Sequence, residues 1–180
     1  IKEQTLNLSQ AEKQAVSDFL WNNAKPENKK YKYDFFFDNC ATKIRDVTQE
    51  VLGNKLEFKD DHIMETYTFR ELIQQNLKAN SWGSLGIDIA LGAVIDRNAK
   101  PIEYQFLPDY VFKGAANAFI HRDGETEPLV KNTKLLFENS PHPPANNFFL
   151  SPIFILGLLG LLIIFLTYRN YKNSCRSRYL

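Results

Sequence analysis

The sequence predicts an α+β domain followed by one membrane-spanning helix. Runs with helical periodicity and capping residues alternate with short runs that carry apolar residues at every second position, a pattern typical of mixed helix and sheet. Near the C-terminus, residues 148–168 form an uncharged stretch of 21 residues. As a helix this stretch would rise about 30 Å, the thickness of a bilayer's hydrocarbon core. The part before it has the size of one domain and can bury a core.

Five helices are predicted before the membrane-spanning stretch, mainly from their end signals. Ser9 with Glu12, and Thr68 with Glu71, each form a capping box, and these boxes start the first and third helices. Pro108 suits the first turn of the fifth helix. The remaining predicted ranges are 40–52 for the second helix, 85–95 for the fourth and 109–118 for the fifth.

Two further elements are predicted from apolar patterning. Aromatic residues alternate with other residues over 31–37, which predicts a strand that leads into the second helix. Asp123-Gly124 is flanked by apolar runs and predicts a loose hairpin. Within the second helix, Cys40 and Ile44 belong to one apolar period, so both are expected on its inward face.

The flanks of the apolar stretch predict its orientation in the membrane. Residues 169–180 carry four basic side chains and no acidic one, whereas the Pro-rich linker 141–147 has neither Lys nor Arg. The positive-inside rule therefore places the tail 169–180 in the cytoplasm and the domain, residues 1–140, outside it. A buried helix of a soluble protein is the alternative, but the length of the stretch and its lack of a polar face disfavour that interpretation.

Composition and motifs exclude several classes of function. The formal net charge is +1, and no basic cluster with interleaved stacking aromatic residues occurs, which argues against nucleic-acid binding. The chain has no glycine-rich phosphate loop and no Cys-x-x-Cys motif, and its three histidines are scattered. Neither a cofactor nor a metal ion is therefore expected.

Cys40 is the most informative residue of the chain. It begins a predicted helix directly after an aromatic run, and the unpaired backbone N–H groups and the dipole of a helix N-terminus favour a thiolate there. The second cysteine, Cys175, is expected across the membrane, so Cys40 should be unpaired. Sequence position leaves two interpretations open: a nucleophile, or a small buried cysteine that packs as an apolar residue.

A cysteine nucleophile needs a base within hydrogen-bond reach and a third group that orients the base. His142 lies in the Pro-rich linker, where it should be solvated, and His62 follows a charged run typical of a surface loop. His121 ends an apolar strand-like run, a position from which its imidazole can face Cys40. His121 is therefore the candidate base within this chain.

Several polar and charged residues are candidate supporting groups for the cysteine. Asp38 and Asn39 directly precede it, and Arg45 lies in its helix, where an ordinary surface charge is the other interpretation. Arg70 near a helix N-terminus is electrostatically unfavourable, so it should serve a specific carboxylate or ligand. Asp88 is the candidate partner, because an acid in apolar surroundings needs one.

A run around the cysteine and five shorter motifs form one ordered pattern. The run is Tyr31-x-Tyr33-Asp34-Phe35-Phe36-Phe37-Asp38-Asn39-Cys40-Ala41-Thr42-x-x-Arg45-Asp46. The shorter motifs are Gln4-x-Leu6-Asn7-Leu8, Pro26-Glu27-Asn28, Thr68-Phe69-Arg70-Glu71-Leu72, Trp82-x-x-Leu85-Gly86-Ile87-Asp88-x-Ala90-Leu91-Gly92 and Phe106-Leu107-Pro108-Asp109-Tyr110. Together they cover most of residues 2–115, and the pattern resembles the Lnb N-terminal periplasmic domain family, whose members are tethered to membranes.

The resemblance implies a permuted papain-like thiol fold, of which this chain would hold the helix-rich C-terminal part. In that order the catalytic histidine precedes the cysteine in a strand motif that this chain lacks. The resemblance therefore implies that the chain is truncated and that this histidine lies upstream of Ile1. Cys40 is the one catalytic residue that the resemblance carries over, and His121 remains the alternative base.

The resemblance also implies an activity, because Lnb is similar to lipoprotein N-acyltransferases of Bacteroides-type bacteria. A fatty acyl group would pass from a phospholipid donor through a Cys40 thioester to the N-terminal amine of a lipoprotein acceptor. The protein would sit in the bacterial inner membrane with its domain in the periplasm. Two other functions stay open: a papain-like cell-wall peptidase or amidase, and a non-catalytic membrane-tethered binding domain.

Overall fold

A computed structural model describes residues 1–138 and 147–172 and confirms the mixture of helix and sheet. The chain divides into two compact units. The first comprises Ile1–Tyr67 and the described part of Asn98–Ser140, and it contains both sheets. The second comprises Thr68–Arg97 and the described part of Pro141–Leu180, and its regular elements in the described residues are helical. The permuted papain-like arrangement stays a prediction.

The regular elements alternate along the chain, with short 3₁₀ turns between several of them. The α-helices are α1 Gln10–Asn23, α2 Cys40–Leu52, α3 Phe69–Gln74, α4 Trp82–Leu91, α5 Pro108–Ala116 and α6 Pro152–Lys172. The strands are β1 Lys2–Leu6, β2 Leu56–Phe58, β3 Ala118–Arg122, β4 Glu125–Pro128 and β5 Val130–Leu135. The 3₁₀ turns are Gly53–Lys55, Gly92–Asp96, Pro101–Phe106 and Phe148–Leu150.

The two predicted capping boxes are confirmed, and they start α1 and α3. The Glu12 backbone N–H donates to Ser9 Oγ at 3.3 Å, and Ser9 N–H donates to Glu12 Oε2 at 2.8 Å. Thr68 and Glu71 make the same reciprocal pair at 3.2 and 2.7 Å. Each box satisfies two backbone donors that the helix start would otherwise leave without partners.

Glu12 also ties the start of α1 to β3. Arg122 Nη2 donates to Glu12 Oε2 at 2.5 Å and to Asn7 O at 2.7 Å, while Nη1 donates to Glu127 Oε2 at 2.8 Å. Burial opposes ionisation of Glu12, but the hydrogen bonds from Arg122 and Ser9 outweigh it and lower the pKa of this carboxyl. The chain segment before α1 is therefore held against the hairpin by a charged group that stays ionised.

Two antiparallel sheets provide the core of the first unit. β1 pairs with β5, and β2, β3 and β4 form a three-stranded sheet in that order. Asp123 and Gly124 have φ of 49° and 86°, as a two-residue turn between β3 and β4 requires, so the predicted hairpin is confirmed. The buried side chains of the core cluster are Leu52, Ala118, Ile120 and Leu129.

The strand predicted over residues 31–37 is wrong. The backbones of Asp34 and Asp38 bridge through two hydrogen bonds of 3.1 Å, and the residues between them turn. The Asp34 carboxylate accepts from the N–H groups of Phe36 and Phe37 at 2.9 Å each. In a strand, these N–H groups would bond to a neighbouring strand. Since the Asp34 side chain accepts from them instead, the segment forms a turn despite its alternating aromatic residues. We call the segment from Asp34 to Asp38 the aromatic turn.

The predicted inward face of α2 is also wrong. Cys40 is exposed and Ile44 is 63% exposed, whereas Ala41 and Thr42 are buried. The difference follows from Asn39, which is buried, donates to Phe106 O at 2.9 Å and, through its cap bond to Thr42 Oγ1, holds that side of the helix inward. The residues that share this apolar period therefore lie on the outer surface of the first turns of α2.

Two predicted helix boundaries shift because of neighbouring residues. α4 begins at Trp82 rather than at residue 85, because Ser81 Oγ accepts from Ser84 N at 3.1 Å and caps the helix earlier. Its predicted last turn is the 3₁₀ turn Gly92–Asp96. α5 ends at Ala116 because the chain soon enters β3.

Within the described residues, α6 is the one helix long and apolar enough to cross a membrane. It runs from Pro152 to Lys172, starting later than the predicted residue 148 because Phe148–Leu150 forms a 3₁₀ turn first. Proline suits the first turn of a helix, where its missing N–H costs no hydrogen bond. Nearly all side chains of α6 are exposed, as is typical of a helix that faces lipid.

Some predictions fall on residues outside those that the structure describes. The predicted linker 141–147 lies there except for Asn147, and it includes His142. The same holds for Cys175 and for the rest of the basic tail after Lys172. The cytoplasmic position of the tail and the separation of the two cysteines by the membrane stay predictions.

Candidate active site at the start of helix α2

Cys40 is the first residue of α2, and the residue before it sets its position. Asn39 Oδ1 accepts from the backbone N–H groups of Ala41 and Thr42 at 2.8 and 2.9 Å. Thr42 Oγ1 accepts from Asn39 N at 2.9 Å, which completes a reciprocal cap. The cap is buried, while the Cys40 side chain points out of it and is exposed. The thiol therefore lies at the positive end of the α2 dipole and is open to a substrate.

Asn39 also fixes two loops around the helix start. Its Nδ2 donates to Phe35 O at 2.8 Å and to Phe106 O at 2.9 Å. Both donors and both acceptor positions of the amide are in use, as a buried polar side chain requires. Asn39 therefore caps α2 and also holds the backbone at Phe35 and Phe106 against the start of the helix.

The aromatic turn stands directly before Cys40 and is anchored on one side. The rings of Phe35 and Phe36 pack on Phe106, with centroid distances of 6.0 and 5.3 Å. These distances lie in the favourable range for aromatic pairs. Phe35 nevertheless remains 43% exposed, and Phe37 is 51% exposed. An ordered but open aromatic surface thus precedes the thiol.

Ile44 connects the start of α2 to two apolar hollows. It lies four residues after Cys40, on the same side of the helix and about 6 Å further along its axis. The α2–α5 hollow has a volume of about 270 Å³ and the α1–α2 hollow about 470 Å³. Ile44, Leu6 and Thr48 line both hollows. Ligand pockets in proteins have volumes of roughly 300–1,000 Å³, so the two hollows together are large enough for a ligand.

Most of the lining of both hollows is hydrocarbon. The apolar residues of the α2–α5 hollow are Leu6, Ile44, Phe58, Pro108, Val111, Phe112, Ala115 and Leu129. Those of the α1–α2 hollow are Leu6, Val16, Phe19, Leu20, Tyr31, Ile44 and Val47. The α1–α2 hollow also has polar lining residues, namely Asn23, Lys43, Asp46, Thr48 and Glu50, but most of the surface of both hollows is hydrocarbon and suits an apolar chain.

Ion pairs surround the first turns of α2. Lys43 Nζ lies 2.6 Å from Asp38 Oδ1. Arg45 Nη2 and Nε donate to Asp46 Oδ1 at 2.6 and 2.8 Å, and Nη1 donates to Ile102 O at 3.3 Å. Asp38 and Arg45, two of the candidate supporting residues, therefore have partners of their own. Arg45 also contributes to the lining of the α2–α5 hollow.

The two described histidines have different surroundings. His121 Nε2 lies 2.9 Å from Glu57 Oε2, and Nδ1 lies 2.9 Å from Thr126 Oγ1, on the strands next to β3. Its role as the base for Cys40 stays a prediction. Both ring nitrogens of His62 are buried and have no hydrogen-bond partner among the residues that the structure describes.

Arg70 has the predicted partner and a second one that the sequence did not indicate. Its Nη1 donates to Asp88 Oδ1 at 2.5 Å, which confirms the predicted pair, and Nε donates to Asp96 Oδ1 at 2.6 Å. Nη2 donates to Gly92 O at 2.8 Å. The hydrogen bond from Arg70 lowers the pKa of Asp96 and raises that of the guanidinium. We call these four residues the Arg70 cluster; it joins α3, α4 and the following 3₁₀ turn within the second unit.

Sequence reasoning missed two contributors to the site. Phe106 anchors both Asn39 and the aromatic turn, and since the Asn39 contact spans 67 residues of chain, no local pattern indicates it. Lys43 follows Cys40 by three residues, so the helical period already placed it near the thiol. Ile44 was assigned to the inner face, although its spacing from Cys40 correctly indicated that the two share a face.

Comparison with known proteins finds one similarity, and it covers the candidate site. Residues 1–75 match a family model described as the Lnb N-terminal periplasmic domain. The match includes the aromatic turn, Cys40 and all of α2, and it does not extend to the motifs at 82–92 and 106–110. No curated protein and no solved structure matches this chain significantly. The match and α6 together indicate a membrane-anchored protein with a periplasmic N-terminal part.

Proposed function

We propose that this protein is an acyltransferase that moves a fatty acyl group from a phospholipid to the N-terminal amine of a lipoprotein through a Cys40 thioester. The observation that carries the proposal is the exposed thiol at the start of α2. One helical turn further along, Ile44 lines two apolar hollows. The similarity of residues 1–75 to a periplasmic domain supports a site at the outer face of a bacterial inner membrane. The tail after Lys172 would then be cytoplasmic.

The proposed reaction has two steps at the same sulfur. First, Cys40 Sγ attacks the ester carbonyl of the phospholipid, the C–O bond breaks, and the thiol proton leaves with the lysophospholipid as its new hydroxyl. The acyl group remains on sulfur as a thioester. Then the neutral amine of the acceptor attacks the thioester carbonyl, the C–S bond breaks, and a proton from the amine returns to sulfur. The products are an amide and the free thiol, so the step balances without any oxidant or reductant.

The helix start contributes to this chemistry but cannot supply all of it. Negative charge that develops on Cys40 Sγ meets the positive end of the α2 dipole, worth about 0.3–1 kcal/mol at an exposed site. General acid–base catalysis contributes roughly 10²–10⁴-fold, which corresponds to ~3–5 kcal/mol. A base is therefore needed, and His121, the candidate in this chain, would have to exchange one of its present partners, Glu57 or Thr126, for Cys40.

The apolar hollows, which Ile44 lines and Cys40 does not, favour an acyl chain as the group bound one helical turn from the thiol. Burying one methylene contributes about 0.8 kcal/mol, so even a few carbons of a fatty acyl chain would bind usefully around Ile44. A cell-wall peptide would instead need hydrogen-bonding groups along the cleft, and the lining of both hollows is mainly hydrocarbon. Because α6 holds the domain at the bilayer, enzyme and lipid donor would also meet at high local concentration.

A thiol hydrolase is the second candidate, favoured by the openness of Cys40. An exposed thioester is open to attack by water, in which case the acyl group would be released as a fatty acid. The two functions share the first step and differ in the acceptor. A non-catalytic binding domain would form no thioester at all.

The test uses the full-length protein reconstituted in nanodiscs that contain phospholipid with an isotope-labelled acyl chain. Intact mass measurement should find one labelled acyl group on the protein, and hydroxylamine should remove it as it removes thioesters. Cys40→Ser should lose this adduct, and Cys175→Ser, the matched control, should keep it. A peptide that carries a diacylglyceryl-modified N-terminal cysteine with a free amine should then discharge the adduct and become acylated.

Three results would contradict the proposal. Unchanged labelling in Cys40→Ser would place the adduct elsewhere. Release of labelled fatty acid with no acylated peptide would identify a hydrolase. Absence of any adduct, with the protein folded and the lipid intact, would favour the binding domain.

A further inference from the structure

The outer side of α4 carries an uncharged apolar stripe. Trp82 is 51% exposed, Ile89 is 73% exposed, and Val94 in the following 3₁₀ turn is 74% exposed. The other exposed residues along this side are Gly83, Gly86, Ala90 and Ala93. They recur at the spacing of one helical face, so the exposed side of α4 presents no charged group to its surroundings.

The one charged residue of α4 lies away from this stripe. Asp88 is held by Arg70 at 2.5 Å within the Arg70 cluster, so its charge is paired on the protein side of the helix. α4 is thus apolar along its most exposed side, and its one ionised side chain, 29% exposed, is paired with Arg70.

The start of α4 is bonded to the start of the membrane helix. Trp82 Nε1 donates to Leu150 O at 2.9 Å, and the backbone N–H of Ile153 donates to Asn80 Oδ1 at 3.1 Å. α4 and the first turns of α6 also line one common cavity, of about 570 Å³. Phe148, Phe149 and Leu150, which lead into α6, are themselves more than half exposed. α4 therefore lies at the level where the chain enters the bilayer.

We propose that α4 and the 3₁₀ turn after it lie in the bilayer interface, with Trp82, Ile89 and Val94 among the lipid headgroups and upper acyl chains. Tryptophan is enriched at this depth, since its ring is apolar and its N–H still finds a partner, here Leu150 O. Amphipathic helices that lie in the interface bury their apolar side about 5–10 Å deep. The occupant of the stripe is lipid rather than protein because the bonds to α6 hold α4 at the membrane surface.

This placement gives the second unit a role beside anchoring. α6 alone allows the protein to tilt and rotate about a single helix, whereas α4 adds a second contact with the bilayer, joined to α6 by hydrogen bonds. Two contacts fix the orientation of the second unit relative to the membrane surface. The inference rests on α6 as a membrane helix and is independent of the chemistry of Cys40.

The test places spin labels along the stripe of the full-length protein in nanodiscs of phosphatidylethanolamine and phosphatidylglycerol. Ile89→Cys and Val94→Cys are made in a Cys40→Ser, Cys175→Ser background. Leu159→Cys, exposed in the middle of α6, is the lipid reference, and Lys131→Cys, exposed on β5, is the water reference. Collision rates of each label with oxygen, which concentrates in lipid, and with a water-soluble nickel complex are then measured.

The labels at 89 and 94 should collide with oxygen more often than the water reference and less often than the mid-bilayer reference, and they should lose most collisions with nickel relative to the water reference. Nickel collisions equal to those at 131 would show a water-exposed stripe and overturn the proposal. Protection from both reagents would show a protein covering and overturn it as well. Retained folding of each variant is checked by circular dichroism, and a misfolded variant is replaced by Ala90→Cys, at a neighbouring exposed position.

Discussion

The start of α2 and the Arg70 cluster use polar residues in opposite ways. At α2, Asn39 is saturated with hydrogen bonds, while the adjacent Cys40 is exposed. In the Arg70 cluster, the charged groups bond to one another: the guanidinium binds Asp88 and Asp96. The first arrangement fixes a reactive group and leaves it accessible, whereas the second holds elements together.

The surroundings of the reactive or charged residues separate a candidate site from a structural cluster. In both regions, a charged or reactive residue lies near the start of a helix. Only the α2 region combines an accessible nucleophile with apolar hollows of ligand size. A shifted pKa alone does not distinguish the two regions, because ion pairs that only stabilise the structure also shift pKa values. Asp96 is an example, since Arg70 lowers its pKa.

The largest expected effect comes from removing the cap that positions the thiol. Asn39→Ala loses the N-terminal cap of α2 and leaves Phe35 O and Phe106 O without their donor. We expect the free energy of unfolding to fall by about 2–4 kcal/mol. Cys40→Ser, at the exposed neighbouring position, should change it by no more than ~0.5 kcal/mol. Urea unfolding followed by circular dichroism measures both, and equal effects of the two substitutions would contradict the comparison.

A charge in the apolar lining should sharpen the chemical contrast between the regions. Ile44→Asp places a carboxylate where both hollows meet, and we expect thioester formation from long-chain phospholipid to slow by roughly 10–100-fold. This matches the ~1.5–3 kcal/mol of one buried aliphatic side chain. Short-chain donors should be affected less. Leu135→Asp, at another exposed apolar position, is the control; a similar loss there would argue against the hollows as the acyl site.

Breaking the Arg70 cluster should loosen the second unit and leave the helix start at Cys40 intact. Arg70→Gln removes the bonds to Asp88, Asp96 and Gly92 O, so backbone amides of α4 should exchange their hydrogens faster. Amides of α2 should keep their protection. Hydrogen exchange followed by mass spectrometry reports both helices in one experiment. Faster exchange in α2 alone would assign Arg70 to the start of α2 instead.

The smallest expected effect is an acid-dependent loss of stability in the second unit. Because Arg70 lowers the pKa of Asp96 in the folded state, this pair stabilises the fold fully above the unfolded carboxyl pKa, about 3.9. The stabilisation is lost as pH falls through the lower folded value. Thermal unfolding followed by Trp82 fluorescence, in a Trp21→Phe background, should therefore show a falling Tm below about pH 4. Asp96→Asn should lower Tm at neutral pH and flatten this part of the profile.

Much of the candidate site was predictable from sequence, and the wrong strand prediction before Cys40 has a local cause. Cys40 at a helix start and the Arg70–Asp88 pair followed from residue type and spacing. The strand before Cys40 was wrong because the Asp34 side chain takes the N–H groups of Phe36 and Phe37. The alternation of aromatic residues is a pattern of side chains only. The path of the backbone is set here by hydrogen bonds from backbone N–H groups to a side chain.

Features that depend on neighbouring residues follow from the amino-acid sequence alone. The capping boxes, the Asp123-Gly124 turn and the apolar span of α6 involve groups within a few positions of one another, so their energies are set locally. Only the tertiary structure decided which face of α2 is buried. That choice depends on the bond from Asn39 to Phe106 O, across 67 residues, and no helical period contains it. Tertiary contacts of this kind turned Cys40 outward and left its thiol accessible.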